Sequence, residues 1–195
     1  MWKNIDEKKG AFESEALVHM DTLYNGALKL TYNEEDAKDL VQETYFKAFR
    51  FFDQFEPGTS CKAWLFKILK NTFINKYRKK AKQPEHVDYN TVEPFVDIIK
   101  DKQYFDSDSL DDSILNNYLS DEINEALSKL SYEFRMILIL SDIEGFSYKE
   151  IADIMDCPIG TIRSRLSRAR KLMFKLLSKY AKQEGYYRDE DEDEE

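Results

Sequence analysis

The sequence is poor in the usual zinc ligands, with two cysteines, Cys61 and Cys157, and two histidines, His19 and His86. They stand apart, with no CxxC and no zinc-like spacing, so no metal site is expected and both thiols read as reduced packing residues. Glycine and proline are scarce, at 6 and 4 residues, and helical spacing dominates the chain. No apolar run approaches the roughly 18 residues needed to span a bilayer. The opening "MWKNIDEKKGAFESEAL" lacks the basic-then-apolar order of a signal peptide, so cytoplasm is the default expectation.

The 195 residues suffice for one or two domains, at about 150 residues each as a guide. Hydrophobic residues make up 42% and charged residues 34%, a soluble globular balance with a formal net charge of −9. That net value hides two stretches without any acid. From Lys62 to Lys82 the charged residues are Lys62, Lys67, Lys70, Lys76, Arg78, Lys79, Lys80 and Lys82. From Gly160 to Lys182 they are Arg163, Arg165, Arg168, Arg170, Lys171, Lys175, Lys179 and Lys182. Ordinary solvated helix faces mix Glu with Lys. Two acid-free basic helices on an acidic background look instead like two nucleic-acid contact surfaces.

The expected architecture is all-α, two small helical domains joined by a flexible acidic linker. Phe12, Ala16, Met20, Leu23, Ala27 and Leu28 predict a first helix near 12–30. Asn33 is placed to cap a second helix that runs to about Phe52, burying Ala37, Val41, Tyr45, Ala48 and Phe52. A third helix spans about 61–80. Residues 83–119 lose the periodicity and read as the linker. Helices near 120–129, 132–143, 148–155 and 159–180 follow, and the last dozen residues are expected to be disordered. The boundaries are 10–82 for the first domain, 120–182 for the second and 183–195 for the acidic tail.

The stretch "SYKEIADIMDCPIGTIRSRLSRARKLM" has the organisation of a helix-turn-helix. Ser147 and Glu150 form a capping box, "DCP" breaks the first helix, and Pro158 suits the first turn of the second. At 100° per residue, Ile162, Leu166, Ala169, Met173 and Leu176 share one face. Arg163, Ser164, Ser167, Arg168 and Lys171 share the opposite face, where Arg and Ser can reach base edges in a major groove. Arg165 and Arg170 flank the apolar stripe and are expected to reach phosphates.

In the first domain, the outer face of the second helix carries Asp36, Asp39, Glu43, Phe46 and Arg50, with Gln42 at its border. An aromatic set in a row of charges suggests a protein contact with an anchor and a polar rim, or simple packing of Phe46 on the first helix. The third helix has a core face of Leu65, Ile68, Leu69 and Thr72 and an aromatic face of Phe66, Phe73 and Tyr77. Its third stripe is Trp64, Lys67, Asn71, Asn75 and Arg78, about 21 Å long, which suits a few nucleotides of single strand. The loop "FEPGTSC" sits over the start of this stripe, with Phe55 and Trp64 on its shoulders. It can wall a pocket for an extruded base, or be an ordinary turn between core aromatics.

Three segments together resemble a bacterial RNA polymerase sigma factor of the extracytoplasmic-function (ECF) subgroup. They are "DAKDLVQETYFKAFRFFDQF", "CKAWLFKILKNTFINKYRKK" and "GFSYKEIADIMDCPIGTIRSRLSRARK". The resemblance covers about 12–82 and 120–180. It implies that residues 36–50 bind the β′ clamp coiled coil of core polymerase, with Asp39, Gln42 and Glu43 on the family motif. It implies that the 53–64 loop and third helix capture the non-template strand of the −10 element, with Phe55 and Asn71 lining a flipped-base pocket. It further implies that Arg163, Ser164, Ser167 and Arg168 read the −35 element, that neighbouring residues meet the β flap, and that an anti-sigma factor is a partner. No catalytic residue and no cofactor are implied.

Two other classes remain open on residues alone. A helix-turn-helix regulator acting without the polymerase specificity role would leave Phe55, Trp64 and Asn71 without a DNA role. A carboxylate-metal nuclease would need its acids preorganised, and they cluster in the linker and tail. Tethered to the basic helices at up to millimolar effective concentration, linker and tail either compete with DNA or merely solubilise.

Overall fold

A computed structural model describes residues 5–80 and 121–185; the expected linker and most of the expected acidic tail lie outside the described residues. All regular structure among the described residues is helical, so the all-α expectation holds. The chain divides into two compact units.

In the first unit, α1 (Ile5–Glu15) leads through a 3₁₀ turn (Leu17–His19) into α2 (Met20–Thr31). The single helix expected over 12–30 is therefore two helices with a break. The reason is visible at Ala16: its carbonyl accepts the His19 N–H at 3.1 Å and the Tyr45 hydroxyl at 3.0 Å. Tightening the backbone there lets Ala16, Leu17 and Met20 all turn inward, with no more than 4% of their surface exposed. α3 (Glu34–Arg50) begins where expected, its Asn33 side chain accepting the Asp36 N–H at 2.9 Å. It stops two residues short of the expected Phe52, which belongs to a 3₁₀ turn (Phe52–Gln54). α4 (Cys61–Lys80) closes the unit.

The predicted inner face of α3 is the observed one: Ala37, Val41, Tyr45, Ala48 and Phe52 are all buried. Phe12 stands edge-on to Tyr45, Phe49 and Phe52, with ring centroids 6.2, 5.2 and 5.1 Å away. Such edge-to-face contacts add to the stabilisation from area burial alone. α2 approaches α4 so closely at Gly26 that a β-carbon there would lie 2.9 Å from the Phe66 ring. Cys61 is a free, buried thiol, pushed up to about 11 by burial and by the charge of Glu15.

In the second unit, α5 (Asp121–Ser128) and α6 (Tyr132–Leu138) are joined by a short turn, and α6 widens into a π turn (Ile139–Ile143). Arg135 ties the pair: its guanidinium donates to the carbonyls of Leu127, Ser128 and Leu130 at 3.0–3.1 Å. Carbonyls at a helix C-terminus lack intrahelical donors, and the guanidinium supplies them here, Leu127 accepting from the Leu130 N–H as well. α7 (Tyr148–Met155) and α8 (Ile159–Gln183) follow. The Ser147–Glu150 capping box forms as read, with the Ser147 N–H donating to the Glu150 carboxylate at 2.9 Å and the Glu150 N–H to Ser147 Oγ at 3.3 Å. α8 packs against both α5 and α6.

Candidate nucleic-acid interface

The stripe expected on α4 lies on one side of the helix. Asn71 and Asn75 are exposed, and neither side chain bonds to a described residue. Trp64 and Lys67 are half-buried at its start, and Arg78 falls in the last turns, where its side chain lies outside the described residues. The opposite side of α4 is core: Leu65, Phe66 and Leu69 have no exposed surface. Uncharged amides with free donors and acceptors can bond base edges that a duplex keeps paired, and Trp64 stands about 10 Å before Asn71 along the helix.

The loop between α3 and α4 behaves differently on its two flanks. Glu56, Pro57, Gly58, Thr59 and Ser60 are exposed. Phe55 is only 8% exposed. Its ring lies parallel to Phe52 at 5.6 Å and meets Trp64 at 5.3 Å. Phe52 and Trp64 are themselves 6.2 Å apart, so the three rings form one cluster under the loop. Phe55 thus packs inward, and Trp64 is the ring of the three that is half open to solvent. Gly58 lets the loop turn, at φ +88°, a conformation other residues reach at a cost.

On α3, Asp39, Gln42 and Arg50 are exposed, and Glu43 and Phe46 are half-buried. This face carries its own counter-charges, one from α3 itself and one from α4. Glu43 pairs with Lys47 one turn on, at 2.7 Å. Lys76 of α4 reaches across to Asp39 at 3.8 Å and Glu43 at 3.9 Å. Only the crossing of α3 and α4 brings Lys76 there, which is why spacing along one helix could not find it. The Arg50 guanidinium sits 5.5 Å over the Phe51 ring.

On α8 the division is as expected for its first half. Ile162, Leu166 and Ala169 are buried, with at most 1% exposed. Arg163, Ser164, Ser167, Arg168 and Lys171 are exposed, and Arg165 is intermediate at the edge of the stripe. None of these cations forms an ion pair with a described residue. Ser164 donates its hydroxyl to the Thr161 carbonyl at 3.0 Å, which leaves its lone pairs facing outward. The stripe does not continue: Met173 is half-buried and Leu176 is 41% exposed.

Arg170 corrects the reading of a phosphate-reaching residue. It donates Nε to Asp142 at 3.1 Å and a terminal nitrogen to the other Asp142 oxygen at 2.6 Å. This fork-to-fork pair ties α8 to the π turn after α6 and commits Arg170 to the fold. The bond from Asp142 holds the guanidinium above its already high range against the opposing effect of burial. Burial alone would raise the Asp142 carboxyl, but hydrogen bonds from Arg170 and Ser141 and the Arg170 charge hold it below the usual carboxylate range. Among the described residues no group of three or more His, Cys, Asp or Glu is placed to hold a metal, and no helix is long and apolar enough to cross a membrane.

Both units have counterparts. Residues 17–83 match the family described as sigma-70 region 2, and residues 120–173 the family described as sigma-70, region 4. The chain is 35% identical over 168 residues to the ECF RNA polymerase sigma factor SigE of Mycolicibacterium smegmatis, which covers 84% of this chain and 60% of that longer relative. It is 34% identical over 167 residues to the ECF RNA polymerase sigma factor EcfG of Rhodopseudomonas palustris, covering 86% of this chain and 85% of the relative. Among solved structures, the sigma factor RpoE from Bartonella quintana, in complex with the anti-sigma factor NepR, superposes with a TM-score of 0.65 at 35% identity, over 86% of this chain and 97% of that one. CnrH, solved with the cytosolic domain of CnrY, gives a TM-score of 0.57 at 22% identity over 90% of each chain, a likeness of fold. Matches to the region 2 and region 4 families on one chain, with 34–35% identity to two ECF sigma factors, one of them covered over 85% of its length, make this protein a member of the ECF subgroup of RNA polymerase sigma factors.

Proposed function

We propose that this chain directs promoter-specific transcription initiation by binding core RNA polymerase, reading a −35 element as duplex and trapping the unpaired −10 strand. The observation that carries the reading is the pairing of two unlike surfaces on one chain. α8 offers Arg163, Ser164, Arg165, Ser167, Arg168 and Lys171 opposite a buried stripe. α4 offers the unbonded amides Asn71 and Asn75, two and three turns on from Trp64. Guanidinium groups and hydroxyls suit the acceptor-rich major groove and the phosphates beside it. Amides and an open aromatic suit bases that have left the stack.

In this reading Trp64 walls the base pocket and Phe55 forms its floor, held by Phe52. Lys67 and Arg78 hold phosphates, and Asn71 and Asn75 bond base edges. Asp39, Gln42, Glu43, Phe46 and Arg50 form the polymerase contact, with Phe46 as anchor and the charges as rim. The β′ clamp coiled coil and the β flap are the expected polymerase elements, and the compartment is the cytoplasm. An anti-sigma factor is a further partner, supported by the complexes in which the structural relatives were solved. The role is one of binding, with no catalytic residue of its own.

Energetics confine melting to the assembled enzyme. Each base step unstacked costs about 1.4 kcal/mol on average, and stacking a captured base returns about 1–3 kcal/mol. One or two pockets cannot hold open a bubble of about ten base pairs on those terms. The test is reconstitution with core polymerase, with selection and sequencing of the DNA transcribed. A defined promoter should emerge, permanganate-reactive thymines should appear only with core present, and Phe55→Ala with Asn71→Ala should lower initiation at least about tenfold. Unchanged initiation by those variants would overturn the strand-capture role. Specific promoter binding without core, and no transcription with it, would favour a helix-turn-helix regulator.

A further inference from the structure

α1 holds the turn between α3 and the loop through two neighbouring side chains. Lys8 and Phe12 stand one turn apart on α1 and share a face. Phe12, fully buried, stands edge-on to Phe49 and Phe52. The Lys8 ammonium lies 5.4 Å over the Phe49 ring and pairs with Asp53. Phe52 and Asp53 belong to one 3₁₀ turn, closed by the Gln54 N–H on the Phe51 carbonyl at 2.9 Å and the Phe55 N–H on the Phe52 carbonyl at 3.0 Å. Phe52 stacks on Phe55, and both rings meet Trp64. Contacts therefore run without a gap from α1 to the two rings assigned to base capture, although α1 precedes the residues 17–83 that match region 2.

We propose that Lys8 and Asp53 form a clasp that positions Phe55 and Trp64 against the captured base, an inference that rests on the strand-capture reading above. The two flanks of the loop are fixed by different means. On the α4 side, Ser60 Oγ accepts the Ala63 N–H at 3.2 Å, so that flank is held by the start of its own helix. On the α3 side the helix has already ended at Arg50, and Glu56 to Ser60 are all exposed. The turn that carries Phe55 is held there by α1, with Phe12 against Phe52 and Lys8 on Asp53.

The clasp fixes a position and adds little to overall stability. The Lys8 side chain is 14% exposed and that of Asp53 52%, a pair near the surface that water and salt screen. Lys8 is nevertheless committed twice, to a carboxylate and to a ring face, which determines where its ammonium sits. Release of Asp53 lets the turn shift and carries Phe55 with it relative to Trp64. A shift of about 1 Å is enough to spoil an oriented site. Lys8 and Asp53 act through Phe52 and Phe55, so they are positioning residues.

Phe12→Ala would hollow the core, so the clasp is the part to break. Lys8→Met keeps the stem over Phe49 and drops the charge, Asp53→Asn removes the other charge, and Lys8→Arg keeps the pair. Each holoenzyme is titrated with a pre-melted promoter, first with an intact non-template strand and then with a single abasic site moved through the −10 element. In the parent, one abasic position should weaken capture about tenfold, because a stacked base is missing. In Lys8→Met, in Asp53→Asn and in the double variant that penalty should fall alike to about two- to threefold, and Lys8→Arg should restore it. A general loss of stability would weaken intact and abasic strands by the same factor; that outcome, or an undiminished abasic penalty, overturns the clasp. A parent without an abasic penalty at any position overturns strand capture itself, and the role of the clasp falls with it. On the free chain, Trp2→Phe leaves Trp64 as the only tryptophan. Acrylamide quenching of Trp64 should rise when Lys8→Met is added, and unchanged quenching overturns the clasp whatever the DNA titration gives.

Discussion

α4 and α8 look alike in sequence, each basic and free of acid over about twenty residues, yet the fold holds them in opposite ways. α4 is enclosed along much of its length: Leu65, Phe66 and Leu69 are fully buried, and Gly26 of α2 is pressed against Phe66. α8 buries Ile162, Leu166 and Ala169 and is tied at Arg170, after which Leu172, Phe174 and Leu176 are 41, 57 and 41% exposed. Under the proposed function the contrast has a logic. A surface that must hold single bases at fixed positions benefits from a rigid support, since a displacement of about 1 Å spoils oriented hydrogen bonds. A helix laid in a major groove needs a firm entry end and a charged flank, and the groove supplies the rest of its environment.

The strongest way to break that comparison is to press on both supports equally. Gly26→Val places branched carbons where one β-carbon already meets Phe66 at 2.9 Å, and Phe66 has no exposed surface into which to move. Overpacking of this kind costs about 1–3 kcal/mol, and the upper end is expected here. Leu176→Ser on α8 removes a side chain that is already 41% exposed and should cost under about 0.5 kcal/mol. Urea unfolding of the two variants, followed by Trp fluorescence for the first unit and helix circular dichroism for the second, gives both values. Equal losses would mean that α8 is held along its full length, and the contrast would fail.

Much of this contrast was legible in sequence, and the part that was not has a common cause. The buried faces of α3 and of the first half of α8, the Asn33 cap and the Ser147–Glu150 box follow from local spacing, which a single helix dictates to itself. The break at Ala16 was not legible, because the hydroxyl that stabilises it comes from Tyr45, 29 residues away. Lys76 on the acids of α3 and Asp142 on Arg170 are likewise tertiary pairs. The place of Phe55 beside the loop and the family resemblance point to a pocket residue, but its burial depends on Phe52 turning under it, in a 3₁₀ turn that periodicity extends as helix. Charge runs showed where cations are, and only packing showed which of them the fold had already used.

The two surfaces should also differ in how their binding responds to salt. Arg168→Ala removes one exposed cation from α8 and should weaken duplex binding about tenfold, lowering the salt slope by about one counterion. Asn71→Ala removes no charge. It should weaken capture of a pre-melted −10 strand by holoenzyme about three- to tenfold while leaving the salt slope in place. Fluorescence anisotropy across a salt series reads both. A changed slope for Asn71→Ala would show that its effect passes through the placement of Lys67 or Arg78, and the division into amide and cation surfaces would have to be redrawn.

The smallest effect concerns how α8 is fastened at Arg170. Asp142 has its carboxyl held below the usual range in the folded chain, so the pair contributes stability above the ordinary carboxylate pKa of about 4 and loses it as pH falls through the lowered folded value. Side-chain exposures of 51% for Arg170 and 37% for Asp142 keep that contribution below about 1 kcal/mol. Asp142→Asn should therefore be slightly less stable than the parent at pH 7, and the two should converge in acid. Native-state hydrogen exchange of α6 and α8 amides at a series of pH values measures this unit without the first. A deficit that persists undiminished below pH of about 2 would mean that Asp142 acts by packing, and α8 would then be anchored by its apolar stripe alone.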